Sequence, residues 1–333
     1  MRTDEFAYDL PEAAIAQTPV EPRDAARLLV DRGPGEAPED HTVADLPSRV
    51  RPGDLLVVND TRVIPARLAL AKATGGAVEV LLAERTGDRE WTALVRPGRR
   101  VPPGTVLERD GAEILLVGAS VGDGERTVRF LGDEDPLALV HRLGTLPLPP
   151  YITTTLDDPE RYQTVFARRP GSAAAPTAGL HLTPEVLDRC VAAGAQVAAI
   201  DLEVGLGTFA PIRAEQVEDH TVHTERYLLP EATVEAIGRA ERVVAVGTTV
   251  VRALESWSAS GSPAGPTDLF IRRGHEFGVV DVLLTNFHVP RSSLLVLVDA
   301  FVGDRWRDLY ATALDRGYRF LSFGDAMLLE RER

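Results

Sequence analysis

The segment from about Pro65 to Pro150 constrains the fold more than any other part of the chain. It is a succession of short apolar runs, separated by turn signals in which glycine follows threonine, proline or aspartate. Many short strands at this spacing predict a small antiparallel β-barrel. The predicted strands are Ala77–Leu82, Trp91–Val95, Val106–Leu107, Ile114–Val117 and Thr127–Phe130.

A different pattern surrounds this segment. Before it, Asp54–Val58 has the apolar sequence of a buried strand. After Leu146–Ile152 (LPLPPYI), a stiff proline-rich crossing suited to a domain boundary, strand and helix patterns alternate as in an α/β domain. The predicted strands there are Gln196–Val204, Arg242–Val246, Val279–Leu284 and Tyr318–Leu321, and the predicted helices include Ala232–Ala240, Val250–Ser256 and Asp304–Asp315.

Composition limits the class of protein. A chain of 333 residues, 44% hydrophobic and 26% charged, fits one large or two smaller globular domains with an ample core. Its one cysteine, Cys190, excludes an internal disulfide and a cysteine-rich zinc site, and favours a reducing, cytoplasmic compartment. The first residues, MRTDEFAYDL, carry charges where a secretory signal is apolar, and we expect no membrane-spanning segment.

The charge balance bears on possible partners. A net charge of −14 argues against generic, backbone-driven binding to nucleic acid, so a nucleic-acid enzyme of this composition needs a local basic patch. Residues 66–150 are nearly neutral, with 11 basic and 12 acidic residues. Arg96, Arg99 and Arg100 form a local basic cluster there, and a solvated face is the commoner meaning of such a cluster.

The stretch Ala173–Val186 (AAAPTAGLHLTPEV) combines a turn of small residues, an imidazole and a helix start. Thr183 is a plausible N-cap and Pro184 fits the first helical position. Free backbone N–H groups beside His181 can hold an anion or a polar small molecule. The alternative is a well-capped connection whose histidine is a satisfied packing residue.

Polar residues also follow two predicted strands. Asn59, Asp60 and Arg62 come after Asp54–Val58, at the position where open α/β sheets place ligands, although an ordinary Asx turn is the commoner case. The turn Gly247-Thr248-Thr249 lies between a strand and a helix and is a credible cradle for an anion or a ribose. It lacks the lysine and the glycine spacing of a P-loop.

Histidines and carboxylates mark three further places. In His220–Glu225 (HTVHTE), the spacing of His220 and His223 is not an established zinc pattern, so polar contacts or acid–base work are more plausible than a metal. Asn286 and His288 follow the predicted strand Val279–Leu284, and Asp325 lies near the end of the chain. Each is either a turn residue or part of a pocket.

A nucleophilic triad is not indicated, because the chain has no GxSxG elbow and Cys190 lies on an amphipathic helix face. Several polar clusters at strand ends of one α/β domain predict an enzyme that binds a polar small molecule.

The motifs taken together resemble those of the S-adenosylmethionine:tRNA ribosyltransferase-isomerase family of queuosine biosynthesis. The matching segments run in family order over residues 8–328. They include GDLLVVNDTRVIPARL, LPLPPYI, RYQTVFARRPGSAAAPTAGLHLT, VGLGTFAPI, AVGTTVVRALES, LLTNFHVPRSSLLVLVDAF and YRFLSFGDAML.

The resemblance implies a fold and a reaction. The fold is a larger, discontinuous α/β catalytic domain of residues 1–65 plus 151–333, with a small antiparallel β-barrel domain, 66–150, inserted into it. The reaction moves the ribosyl part of S-adenosylmethionine to the aminomethyl group of 7-aminomethyl-7-deazaguanine, at the anticodon wobble position of tRNA. The product is epoxyqueuosine, with release of adenine and methionine. We expect a cytoplasmic monomer that uses S-adenosylmethionine as co-substrate and needs no metal.

Such a site needs a base near neutrality, a dry pocket, and contacts to a ribose, an adenine and an amino acid. The candidates for acid–base work are His181, His220, His223 and Asp325. The candidates for substrate binding are Asn59, Asp60, Arg62, Thr177, Gly179, Gly207, Thr208, Gly247, Thr248, Thr249, Asn286 and His288. The candidates for contact with tRNA are Arg96, Arg99, Arg100, Arg168 and Arg169.

Three departures from the family pattern and the net charge of −14 bear on the acceptor, and two alternatives stay open. Glu203 stands where the family commonly has a histidine, Val250 where it usually has a hydroxyl residue, and the segment between Ser256 and Thr267 is short. One alternative is a paralogue that uses S-adenosylmethionine with a small amine or deazapurine. The other is a non-catalytic relative that binds RNA or a ligand, against which the intact PTAGLHLT and TNFH motifs speak.

Overall fold

The computed structural model describes residues 1–122, 124–205 and 211–331, which divide into two compact units. The first unit comprises Met1–Arg62, Pro149–Arg169 and Ala175–Arg333, and the second comprises Val63–Leu148 and Pro170–Ala174. Strands and α-helices are numbered below in chain order. No helix of the described residues is long and apolar enough to cross a membrane.

The first unit is built on a nine-stranded mixed sheet. Its strands, in spatial order, are β16 (Ala264–Thr267), β14 (Glu225–Leu228), β13 (Gln196–Leu202), β3 (Asp54–Asn59), β15 (Arg242–Val246), β17 (Val282–Asn286), β18 (Ala326–Glu330), β1 (Arg27–Val30) and β2 (Glu39–Thr42). The four central strands β13, β3, β15 and β17 are parallel, and β18 runs antiparallel to β17. Strands β3, β15, β17 and β18 are almost completely buried, which explains their nearly continuous apolar sequences, whereas β13 is exposed at Gln196 and Val197.

Among the described residues, five α-helices belong to this unit and pack around the sheet. They are α2 (Pro184–Ala192), α3 (Glu231–Arg239), α4 (Thr248–Ser260), α5 (Ser293–Val302) and α6 (Arg305–Asp315). The cap expected at Thr183 is present, because its hydroxyl accepts from the amide of Val186. The Ser292 hydroxyl caps α5 in the same way and accepts from the amide of Leu295. Shorter 3₁₀ turns include Thr177–His181 and Val217–Asp219.

The second unit is a closed antiparallel barrel of six strands. These are β5 (Arg67–Lys72), β6 (Ala77–Arg85), β7 (Glu90–Arg96), β10 (Glu125–Phe130), β9 (Ala112–Gly122) and β8 (Val106–Arg109), and pairing of β5 with β8 closes the barrel. Side chains alternate along β7, where Trp91, Ala93 and Val95 point into the core. The unit also holds α1 (Pro136–Leu143) and β11 (Gly144–Thr145), which pairs with β5.

A separate two-stranded sheet joins β4 (Thr61–Val63) to β12 (Arg169–Ser172).

The two units confirm the predicted combination of an α/β sheet and a small antiparallel barrel. The prediction of a strand at Tyr318–Leu321 is wrong, because Leu321 has a φ of +70°, which ends an extended conformation. The last described strand is instead β18, Ala326–Glu330.

The parallel strands determine where polar side chains gather. The carboxyl ends of β3, β13, β15 and β17 lie at the same edge of the sheet. Because Ala326 pairs with Asn286, the start of β18 also lies at this edge. We call it the carboxyl edge; in open α/β sheets this is the edge that binds ligands.

Candidate functional site

A pocket opens at the carboxyl edge where β15 passes into α4. Its empty volume is about 560 Å³, which includes the open space at its mouth. Four of the predicted site residues line it together: His220, His223, Thr248 and Thr249. The other lining residues are Val222, Glu225, Arg252, Leu269, Phe270, Ile271, Ser293, Leu294 and Leu297. We call it the α4 pocket.

Gly247 makes the sharp turn that begins α4. Its φ of +98° and ψ of 153° are accessible to glycine but strained for other residues. Its amide donates to the carbonyl of Leu284, which ties the turn to β17. The helix that follows presents the side chains of Thr248, Thr249 and Arg252 to the pocket.

Two buried polar atoms on this wall have no hydrogen-bond partner among the described residues: the hydroxyl of Thr249 and the Nε of Arg252. The two side chains are only 8% and 9% exposed, respectively. Unpaired buried polar groups are costly, and a ligand is one means of satisfying them.

Arg252 is held in place by a buried ion pair. Its Nη1 lies 2.7 Å from Oε2 of Glu225, and its Nη2 donates to the carbonyls of His223 and Thr267. The other carboxylate oxygen of Glu225 accepts from the amide of Gly205. The guanidinium is therefore fixed in orientation, with its Nε left over for the pocket.

His220 is half-buried in the α4 pocket and contacts the edge of the Phe270 ring, with the ring centroids 5.6 Å apart. Burial, and to a lesser extent the neighbouring His223, lower the pKa of His220 below its usual value. The imidazole is therefore neutral near pH 7 and able to accept a proton. His223 lines the same pocket but is exposed.

His181 is buried, and both of its ring nitrogens face carbonyl oxygens. Nδ1 lies 3.1 Å from the oxygen of Ala178, and Nε2 lies 2.8 Å from the oxygen of Gly324. Burial lowers the pKa of His181, although both carbonyls oppose the shift. The ring thus links the small-residue turn to Gly324, and both of its nitrogens face backbone carbonyls.

Asp325 is also fully engaged at the carboxyl edge. Its Oδ1 accepts from the amide of Arg27 and its Oδ2 from the amide of Arg319. These bonds hold the start of β1 against the turn that precedes β18. The carboxylate is buried and closes a turn in this structure.

Asn59 and Asp60 lie at the end of β3, as predicted. The amide of Asn59 bonds to both backbone groups of Leu202, which joins the ends of β3 and β13. Asp60 is buried, and its Oδ2 accepts from Nε and Nη2 of Arg168, while Arg169 lies 4.0 Å from Oδ1. Arg62 instead pairs with Glu160 at 2.5 Å.

An unexpected titratable carboxylate, Asp201, lies beside this group on β13. Burial, followed by the nearby charges of Asp60 and Glu203, raises the pKa of Asp201 to about 6. Oδ2 of Asp201 lies 4.0 Å from Nη1 of Arg169. Such shifts are frequent at functional sites, so Asp201 joins the candidates.

Thr177, Asn286 and His288 line a second, smaller pocket. The Thr177 hydroxyl donates to Oδ1 of Asn286, and the ring of His288 bonds to the hydroxyl of Thr285. Burial lowers the pKa of His288 to about 3. Gly179 is required for packing, because a Cβ there would lie 2.8 Å from the ring of Phe166.

Two of the predicted substrate-binding residues, Gly207 and Thr208, lie outside the described residues.

Among the residues that the structure describes, no group of three or more histidine, cysteine or carboxylate side chains is arranged to hold a metal ion.

In the barrel unit, Arg96, Arg99 and Arg100 are all exposed, around the 3₁₀ turn Gly98–Arg100. In the part of the chain that the structure describes, none of them forms an ion pair with a carboxylate. Arg126 donates to the carbonyl of Gly98 and Lys72 to that of Arg100, which brings two more cations to the same turn. A local basic patch therefore exists on this unit.

The sequence analysis missed Arg252 and Asp201. Arg252 had a usable signal: it lies three and four residues after Thr249 and Thr248, so a helix places all three on one face. The sequence pattern predicts a helix over Val250–Ser256 without singling out Arg252. Asp201 gave no such signal, because its raised pKa comes first from burial and then from the nearby charges of Asp60 and Glu203.

Comparison with known proteins identifies the family. The profile of the family described as queuosine biosynthesis protein matches residues 3–329. A relative from Rubrobacter xylanophilus, named S-adenosylmethionine:tRNA ribosyltransferase-isomerase, is 53% identical over 331 residues, which cover 99% of this chain and 98% of the relative. A relative of the same name from Thermus thermophilus is 49% identical over 97% of this chain and 98% of the relative.

A solved structure is also similar to this chain. The crystal structure of S-adenosylmethionine tRNA ribosyltransferase from Thermotoga maritima matches with a TM-score of 0.56 and 38% identity, over 97% of this chain and 99% of that chain. The resemblance found in the motifs is confirmed: this chain belongs to the queuosine biosynthesis protein family.

Proposed function

We propose that this protein is an S-adenosylmethionine:tRNA ribosyltransferase-isomerase. It transfers and isomerises the ribosyl part of S-adenosylmethionine onto the aminomethyl group of 7-aminomethyl-7-deazaguanine in tRNA, giving epoxyqueuosine-tRNA, adenine and methionine. The observation that carries this proposal is the family match over residues 3–329, supported by relatives that bear this name. The names of these relatives favour neither the small-molecule paralogue nor the non-catalytic relative.

The chemistry requires a base beside the sulfonium. A sulfonium acidifies the ribose C5′ hydrogens, so a modest base can remove one of them. Elimination of adenine follows. The exocyclic amine then attacks the sugar, and methionine departs. We assign the base to His220, because it lines the α4 pocket and its lowered pKa keeps it neutral near pH 7. His223, in the same pocket, contributes polar contact.

His181 and Asp325 are assigned a supporting role. Their polar atoms bond to backbone groups, so they hold the small-residue turn and the start of β18 in place. Thr177, Gly179, Asn286 and His288 belong to the same region, and we place the remainder of the nucleoside there.

The tRNA contact is assigned to basic side chains near turns. Arg96, Arg99 and Arg100 are exposed and suit phosphate binding. Arg168 and Arg169 stay candidates, although Asp60 neutralises part of their charge. The proposal also includes domain ranges of 1–65 plus 151–333 and 66–150, which the change from short strands to alternating strands and helices supports. It includes a cytoplasmic location, which the single cysteine supports. A monomeric state and a reaction without metal complete it.

The test is adenine release from S-adenosylmethionine by the purified protein. It is run with tRNA bearing 7-aminomethyl-7-deazaguanine, with unmodified tRNA, with the free base, and without acceptor. We expect release only with the modified tRNA, together with a matching mass gain on the RNA. Release with the free base alone supports the small-molecule paralogue instead, and silence in every arm contradicts an enzymatic function.

A further inference from the structure

We infer that the first turn of α4 binds the α-carboxylate of the methionyl group of S-adenosylmethionine, with Thr249 as its specificity-determining residue. This inference rests on the proposed function and deepens it by assigning one end of the co-substrate to one wall of the α4 pocket.

Backbone donors form the base of this wall. The amides of Val250 and Val251 both donate to the carbonyl of Gly247. The amides of Thr248 and Thr249 precede them, at the end of the helix where N–H groups have no helical acceptor. The positive end of the helix dipole adds to their attraction for an anion.

Two side-chain groups extend the same wall. The Thr249 hydroxyl and the Arg252 Nε are buried, and in the described part of the chain they have no hydrogen-bond partner. Since Nη1 and Nη2 of Arg252 are committed to Glu225 and to two carbonyls, its Nε is the donor that remains for a ligand. These observations are independent of the helix terminus.

Every group on this wall can donate a hydrogen bond, and of these groups only the Thr249 hydroxyl can also accept one, so the wall favours a ligand rich in acceptors. A carboxylate is an acceptor only, so it satisfies amides, hydroxyl and guanidinium together. A ribose diol also needs acceptors for its own hydroxyl protons. Of the parts of S-adenosylmethionine, only the methionyl end carries a negative charge.

The rest of the pocket fits the remainder of that group. Leu269, Leu294 and Leu297 offer apolar surface to the methylene carbons that join the carboxylate to the sulfonium. His220 lines the same pocket, so a co-substrate anchored at α4 brings its sulfonium, and the C5′ carbon bonded to it, toward this imidazole. The anchor and the proposed base thereby act on neighbouring parts of one molecule.

The hydroxyl of Thr249 contributes nothing visible to the fold. Burying a hydroxyl without a partner costs stability, so its removal is neutral or stabilising for the free protein. Thr249→Val therefore tests ligand binding without a folding penalty. Thr249→Ser restores the hydroxyl, and Thr312→Val on α6 is a matched control because it is the same substitution on a helix that does not line the pocket.

The experiment measures KM and kcat for S-adenosylmethionine with saturating modified tRNA, and inhibition by decarboxylated S-adenosylmethionine in the same assay. We expect Thr249→Val to raise KM about tenfold, with kcat within about twofold, because this contact is equal in ground and transition states. The wild type is expected to bind the decarboxylated analogue more than tenfold more weakly than S-adenosylmethionine, because the analogue loses every contact of the carboxylate, and the variant is expected to show this preference reduced by about tenfold. Thr249→Ser and Thr312→Val keep the wild-type KM.

Two outcomes overturn the inference alone: an unchanged KM in Thr249→Val, or equal binding of the two compounds by the wild type. A wild-type protein that releases no adenine with modified tRNA instead overturns the proposed function, and this inference falls with it. Melting temperatures of the variants separate a binding defect from misfolding.

Discussion

Arg252 and Glu225 form a buried ion pair, with Nη1 of the guanidinium 2.7 Å from Oε2 of the carboxylate. Arg252→Met leaves the carboxylate uncompensated, and we expect a loss of about 3–5 kcal/mol in the free energy of unfolding, measured by urea denaturation. The exposed pair Arg142–Glu134 is the control, and Arg142→Met is expected to leave the midpoint unchanged. If the two substitutions lower the free energy of unfolding equally, burial of the Arg252–Glu225 pair does not explain its contribution to stability.

Glu255 makes stability depend on pH. Burial by itself raises the pKa of Glu255, but His275 and amide donors from Gly278, Val279 and Val280 outweigh it, and the net pKa is lowered. The resulting stability is complete above the unfolded value of about 4.3 and is lost as the pH falls through the lower folded value.

Glu255→Gln is therefore expected to cost about 2 kcal/mol at pH 7 and to flatten the acid limb of the stability curve. Urea unfolding from pH 7 down to pH 3 measures both effects. Glu235→Gln, at an exposed position of α3, is the control. A Glu255→Gln curve parallel to the wild type contradicts the assignment.

The base assignment is tested by His220→Gln. We expect adenine release to fall about 100-fold or more, with the KM for S-adenosylmethionine little changed. Because burial and His223 lower the pKa of His220, wild-type activity is expected to persist below pH 6.5 before protonation removes it. His141→Gln, exposed on α1, keeps full activity. If the acid limb survives in residual His220→Gln activity, the base is another group, and Asp201 is the next to test.

The basic turn of the barrel is tested by salt dependence. Replacing Arg96, Arg99 and Arg100 by alanine is expected to raise the KM for tRNA and to reduce its logarithmic salt slope by about 2, if each arginine contributes close to 0.7. Adenine release at saturating tRNA stays the same. Arg67→Ala is the control, because this arginine pairs with Glu79 on the same unit. An unchanged slope in the triple variant removes this turn from the tRNA surface.

The sheet and the barrel were predictable because their signals are local. Apolar runs such as Asp54–Asn59 and Arg242–Val246 form buried strands of the sheet. Because these strands are parallel, the polar residues that follow them lie together at the carboxyl edge. At Tyr318–Leu321 the local sequence pattern predicts a strand that does not form. Leu321 adopts a positive φ, and its carbonyl accepts from Asn286, a residue far away in the sequence.

The partners of the site residues were not predictable in the same way. The sequence places His181 beside a helix start, but the second carbonyl that its ring meets belongs to Gly324. Likewise, the pKa of Asp201 is raised to about 6 by its burial in the folded chain, and then by the nearby charges of Asp60, which follows β3, and of Glu203. Side-chain chemistry at these positions depends on contacts between strands, which a pattern along one strand does not contain.

The position of β18 has a consequence for synthesis on the ribosome. This strand is the last of those described, yet it lies inside the sheet and joins β17 to β1. The hairpin β1–β2 therefore has no neighbour in the sheet until β18 has emerged, whereas the six barrel strands are complete about 200 residues earlier. The barrel can form before then, but the edge that carries Asn286 and Asp325 is assembled only once β18 has been made.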